Sequence, residues 1–215
     1  MAIIAPRTKG RSNDDLKNFD SGNQIFFLGI SNIYLMSIPR GFKRDGSSAR
    51  SFIYKFISDV VLILLMKERK HLVQNLSRKI KEARQKNDWD NINSTLTLKR
   101  QKWVTRNLDS VRLKGNDLQK AYQFFLIEYL GIDPIEVPIV YEDEKSIIWR
   151  SYNWCPVLEV CKQENFDTRE VCEKGWEKSV QIFLEAINPK LKFSRNYNKI
   201  RPFTPYCEEQ IYLQE

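Results

Sequence analysis

The chain has 215 residues and a mass of 25.5 kDa, with 42% hydrophobic and 12% aromatic residues. That is enough to bury a core, and it excludes a wholly disordered polymer. The formal net charge of +8 is uneven: residues 67–120 hold fifteen Lys/Arg against six Asp/Glu, so the rest of the chain is close to neutral. A solvated pair of basic helices accounts for such asymmetry, and so does an acidic partner such as RNA, an anionic membrane face or an acidic protein.

Residues 1–22 are polar and aperiodic and read as a flexible lead-in. Residues 24–38 suit a strand or a short helix, and "PRGFKRDGSSAR" reads as a basic loop. No secretory signal is recognised, since the apolar stretch around Phe26 starts late and is broken by Ser31, Asn32 and Ser37. Val60–Met66 is too short to cross a bilayer, which predicts a cytoplasmic protein with no membrane span.

From Ser51 to about Lys86, Ile53, Ile57, Val60, Val61, Leu64, Leu72, Leu76, Ile80 and Ala83 recur at helical steps. The first half of this long helix is apolar almost all round and is expected in the core. Its basic second half can bury only one stripe. Asn87 and Asp88 are candidate caps for a second helix with a stripe of Trp89, Ile92, Leu96 and Trp103. A third helix is predicted over Asn116–Leu130, with Leu118, Tyr122, Phe125 and Tyr129 on one face and Gly131 as its stop.

"EVPIVY" and "KSIIWRSY" around the acidic "EDEK" predict a hairpin. Two helices follow, one opening at Cys155-Pro156 and one after "DTRE", where Asp167 and Glu170 have capping-box spacing. "LKFSRNY" and "CEEQIYLQ" complete the chain as strands joined by "NKIRPFTP". The fold class is α+β: a basic helical region over 23–133, then a cysteine-bearing region over 134–215 with a small antiparallel sheet and two helices, in one continuous domain or two.

Pro156 at the first helical position puts Cys155 at the N-cap. There, backbone N–H groups and the helix dipole favour a thiolate, which would make Cys155 a nucleophile or a ligand. Glu159, four residues on, is placed to reach back to it. The other reading is a small buried hydrophobe. Cys161 lies about 120° round the same helix, so the two thiols do not share a face. With Cys172 and Cys207 they are still able to converge as a zinc or iron–sulfur site, although C-x5-C-x10-C-x34-C lacks the short pairs of zinc knuckles. The single histidine, His71, sits far off in the basic helix, where a surface role outweighs a catalytic one.

Arg195, Tyr197 and Arg201 lie among aromatic residues in "FSRNYNKIRPFTPYC", a composition suited to a carboxylate- or phosphate-bearing ligand. "CPVLEVC", "DTREVC", "NPKLKFSRN" and "PYCEEQI", within about residues 150–212, resemble the L-2-amino-thiazoline-4-carboxylate hydrolase family. The resemblance implies hydrolysis at a C=N bond. It maps onto Cys155, Cys161, Cys172 and Cys207 alone, and "IRPFTPY" departs from the turn expected before the last cysteine. It points to a hydrolase-like or ligand-binding protein with a cysteine-lined pocket for an anionic, amino-acid-like compound.

An RNA- or nucleotide-binding module with Trp89 and Trp103 as stacking groups is the alternative. No P-loop, dinucleotide glycine motif or His-x-Glu pattern accompanies it. A homo-oligomer built on the apolar front of the long helix, and a thiolate metal protein, complete the readings.

Overall fold

The computed structural model describes residues 48–214, with side chains from Asp59 onward. The lead-in, the 24–38 element and most of the basic loop therefore lie outside the described residues. Ser48–Arg50, expected in that loop, already belong to helix α1, Ser48–Lys86.

Asn87 ends α1 in the left-handed region, at φ +48°, a conformation asparagine tolerates better than most residues. The carboxylate of Asp88 then accepts from the Asp90 N–H at 3.0 Å and starts α2, Asp90–Asn107, with Trp89 at the N-cap. Helix α3, Asp117–Tyr122, opens with a full capping box: the Asn116 side chain accepts from the Gln119 N–H, and the Gln119 side chain accepts from the Asn116 N–H. It then widens into a π-helical stretch over Gln123–Tyr129, and Gly131, at φ +62°, ends it.

The expected hairpin forms from β1, Ile139–Glu142, and β2, Ser146–Ser151. Helix α4, Pro156–Glu164, follows, and Asn165 ends it in the left-handed region. The next helical path starts as α5, Thr168–Cys172, passes through a π-helical turn over Glu173–Glu177 and continues as α6, Lys178–Ile187. Asp167 caps α5 by accepting from the Arg169 N–H, but Glu170 does not complete the predicted box. Its carboxylate goes instead to Arg84 and Lys174, at 3.0 and 3.2 Å.

Strands β3, Leu191–Arg195, and β4, Cys207–Leu213, close the chain. The sheet is antiparallel throughout with order β1-β2-β4-β3, so the last strand inserts between the second and third. Strand alternation gives it an inner face of Ile147, Trp149, Leu191, Phe193 and Ile211, all buried. The molecule is thus α+β.

Two cores result. Under the sheet, α2, α3 and α6 bring together a stack in which Phe183 has ring centroids 4.5 Å from Tyr129, 5.3 Å from Phe125 and 5.8 Å from Phe124. Such pairs add about 0.5–1.5 kcal/mol each beyond the area they bury. The second core lies where α1 and α2 meet α4 and α5, and comprises Val73, Ile80, Ala83, Trp89, Ile92, Val157, Val160, Cys161, Val171, Cys172 and Ile200. Gly175 lets Trp89 in, since a Cβ there would stand 3.1 Å from the indole ring. Both cores draw on residues before and after 133, so the helical and cysteine-bearing regions are packed together.

The second half of α1 buries one stripe, as expected: Val73, Ser77, Ile80 and Ala83. In the described part of its first half, Leu62, Ile63, Leu64 and Met66 are about half exposed or more and do not lie in the core of the described residues.

Candidate functional site

Pro156 takes the first helical position of α4 and Cys155 the N-cap, with extended backbone at φ −130° and ψ 117°. Helix α4 also carries Cys161, α5 contributes Cys172 and β4 contributes Cys207. All four are free thiols of the second core: Cys161 and Cys172 are buried, Cys155 and Cys207 half-buried.

Gathering does not bring activation. Burial pushes the Cys155 thiol above its ordinary value, outweighing the Leu158 and Val157 N–H groups and the Arg201 charge that favour its anion. The expected depression at the helix terminus is therefore reversed, because stripping water from sulfur costs the anion more than the helix end returns. Burial pushes Cys161 up to about 11, partly offset by Thr168, and pushes Cys172 up further. Cys155, Cys161 and Cys172 are thus held as neutral thiols at neutral pH.

Glu159 is not aimed at Cys155; its carboxylate meets Lys162 at 3.4 Å. Among the described residues, no group of three or more His, Cys, Asp or Glu is arranged to hold a metal ion. Zinc requires its sulfur ligands at about 2.3 Å from one point, and the four cysteines share a core without sharing such a point. His71 stays on the exposed face of α1, its Nε2 2.9 Å from the side-chain amide of Asn75.

Arg201 stands at the edge of this core. Its Nε donates to Cys207 Sγ at 3.5 Å, and its Nη1 donates to the carbonyls of Tyr152 and Asn153 at 3.1 and 2.7 Å. One guanidinium thereby ties the loop before β4 to the turn that leads into Cys155.

Arg195 and Tyr197 point elsewhere. Strand register places Trp149, Glu209 and Arg195 in one row across β2, β4 and β3. Arg195 donates to Glu209 Oε1 from Nε and Nη2, at 3.0 and 2.5 Å, while Glu209 Oε2 accepts from Trp149 Nε1 and Ser151 Oγ at 3.0 and 2.8 Å. The Arg195 charge is consumed inside the protein, although its Nη1 is buried without a partner. Tyr197 OH hydrogen-bonds the Glu177 carboxylate, and burial raises its pKa. Glu208 is likewise occupied, on the outer face of the sheet, by Arg150, Lys199 and Asn196.

Sequence reasoning missed Arg100. It is 6% exposed, its Nη1 donates to Ser179 Oγ at 2.6 Å, and Phe125, Tyr129 and Phe183 surround it at 5.8–5.9 Å. Burial lowers its pKa, the neighbouring Arg195 charge does so further, and its Nε has no partner. A signal was present: the stripe Trp89, Ile92, Leu96, Trp103 has a seven-residue gap after Leu96, and Arg100 fills it at i+4.

Of the stacking groups proposed for RNA, Trp89 is buried against Gly175, while Trp103 is half-buried and packs on Phe124 and Tyr129 at 5.2 and 5.1 Å. Two open depressions among the described residues lie away from the thiols. One, of about 380 Å³, is lined by Lys114, Gly115, Gln119, Tyr122, Gln123 and Ile139; the other follows the basic flank of α1 from Gln74 to Lys86. No family, curated protein or solved structure matches this chain.

Proposed function

We propose that the protein binds a small anionic, amino-acid-like compound at the mouth of the thiol core. Arg201 meets its anionic group, and the half-buried Cys155 and Cys207 form its polarisable wall. The observation that carries this reading is the position of Arg201, which touches Cys207 Sγ and the turn into Cys155 at the one edge of the core where two thiols keep some surface. Arg201 Nε and Nη1 are already bonded to Cys207 Sγ and the two carbonyls, which leaves Nη2 to donate to a carboxylate oxygen in a charge-assisted hydrogen bond. Neutral thiols favour binding over nucleophilic attack, since the thiolate is the reactive form.

The test is calorimetric titration of the full chain with amino acids and cyclic imino carboxylates, inorganic phosphate serving as the control anion. Micromolar binding of a carboxylate, weakened at least about tenfold in Arg201→Met and kept in Cys155→Ser, is expected. Undiminished binding in Arg201→Met, or no carboxylate bound by the folded protein, overturns the reading.

A further inference from the structure

The two edges of the sheet are finished differently. At β3 the Gln181 side chain of α6 closes the edge: its amide donates to the Leu191 carbonyl at 2.7 Å, and its Oε1 accepts from the Phe193 N–H at 3.2 Å. At β1 nothing does so among the described residues. The backbone of Ile139–Glu142 bonds to β2 alone, so the N–H and C=O groups on its other side are open to one more strand. The Asp143 N–H bonds to the Ser146 carbonyl at 2.9 Å, and strand alternation therefore turns the neighbouring Glu142 N–H outward. Ile139, Val140 and Tyr141 are 41–50% exposed along this edge.

A hollow lies beside it. Ile139 and Glu142 pair with Trp149 and Ile147 of the inner face, so they point to the side of the sheet on which α3 lies. Glu142 Oε1 accepts from Gln119 Nε2 there at 2.7 Å. Lys114, Gly115, Gln119, Tyr122, Gln123 and Ile139 line the open depression of about 380 Å³ between β1 and the start of α3. Every second side chain of an added strand would turn to the side on which this hollow opens. Main-chain bonds to a sheet edge, with a pocket for alternate side chains, are a recurring way to hold an extended peptide.

Charge specifies the occupant. Residues 133–145 hold Asp133, Glu136, Glu142, Asp143 and Glu144 against Lys145, in a chain of net charge +8. Glu142, Asp143 and Glu144 are exposed, and Lys114 is the one cation lining the hollow. Two β1 edges brought together would crowd these carboxylates, and like charges facing across strands destabilise the pairing. The register irregularity between Ile139 and Tyr141, on a strand of four residues, also suits a short partner better than a second sheet. We infer that β1 takes up a basic, extended peptide of a partner protein as an added strand, with an apolar side chain of that peptide in the hollow.

The test is titration of the full chain with a short, capped peptide that alternates lysine or arginine with valine, followed by amide hydrogen exchange. Micromolar binding at low salt is expected, with exchange of the Glu142 amide fast in the free chain and slowed in the complex. Glu142→Lys with Glu144→Lys should weaken binding at least about tenfold and leave near-UV circular dichroism unchanged. A version of the peptide with proline in place of valine keeps the charge, cannot complete the ladder and should not bind. No binding by the folded chain, equal binding of the proline version, or undiminished binding in the double variant overturns the inference. So does a Glu142 amide already protected in the free chain, since the chain's own earlier residues or a second copy would then hold the edge, and sedimentation tells those two apart.

Discussion

The core under the sheet and the core between α1, α4 and α5 bury polar groups by opposite means. The first is built of rings and aliphatic side chains, and it admits charge: Arg195 is answered by Glu209, and Arg100 by the Ser179 hydroxyl and three aromatic faces. Among the described residues, the second has no charged side chain among its buried members and holds four thiols, with Arg201 at its rim and Glu164, Lys81, Arg84 and Glu170 pairing on its outside. Charge inside the first core is fixed by strand register. In the second core burial raises the pKa of Cys155, Cys161 and Cys172, because water has been removed from their sulfurs.

The largest way to break this contrast is Glu209→Ala. It leaves Arg195 buried without its carboxylate and frees Trp149 Nε1 and Ser151 Oγ, so urea unfolding should show a loss of about 3–5 kcal/mol. A loss below about 1 kcal/mol would mean the row is not a buried ion pair. Next comes Gly175→Ala in the second core, where the new methyl meets the Trp89 ring at 3.1 Å. Overpacking of this kind should cost about 1–3 kcal/mol in the same assay and shift tryptophan fluorescence.

Alkali sharpens the contrast further. A thiol with a raised folded pKa stabilises the native state fully below its unfolded value, and that contribution is lost as pH rises through the folded one. For Cys161, with an ordinary value of 9.0 pushed to about 11, the window is therefore pH 9 to 11. By pH 10 its share of the loss should reach about 1 kcal/mol, and Cys161→Ala should flatten that part of the pH–stability curve. The smallest effect is expected from Arg100→Met. It removes a buried cation that no carboxylate answers among the described residues, so stability should stay level or rise slightly. A drop of several kcal/mol would reveal an anion seated beside Arg100.

Element positions were legible wherever one residue dictates local geometry. Pro156 set the start of α4, Asn116 and Gln119 the start of α3, Gly131 its stop, and "EDEK" the hairpin. The π-helical turns at Gln123–Tyr129 and Glu173–Glu177 were not, because a shift in hydrogen-bond register leaves no compositional mark. The exposure of Leu62, Ile63, Leu64 and Met66 was not legible, because an apolar circumference says that something covers it without saying what.

At the site, convergence of the four cysteines was legible as an option, and the N-cap position of Cys155 outright. The sign of its pKa shift was not. The helix end is local in sequence, whereas the groups that desolvate the sulfur come from segments far along the chain, Ile200 and Cys207 among them. Arg195 and Tyr197 read as ligand contacts because both suit an anion. Their partners Glu209 and Glu177 emerge only once β3 lies beside β4 and the turn before α6 closes over them. Glu209 carried a hint of its own, standing between Cys207 and Ile211 at strand spacing and hence facing inward.

The most direct test of the central claim is native-state alkylation of each cysteine, followed by mass spectrometry across pH 6 to 11. The account predicts that Cys155 and Cys207 are modified in the folded protein while Cys161 and Cys172 wait for global unfolding, and that the Cys155 rate climbs only above the pH at which a free thiol ionises. Fast Cys155 modification at neutral pH, or equal modification of all four thiols, would contradict it.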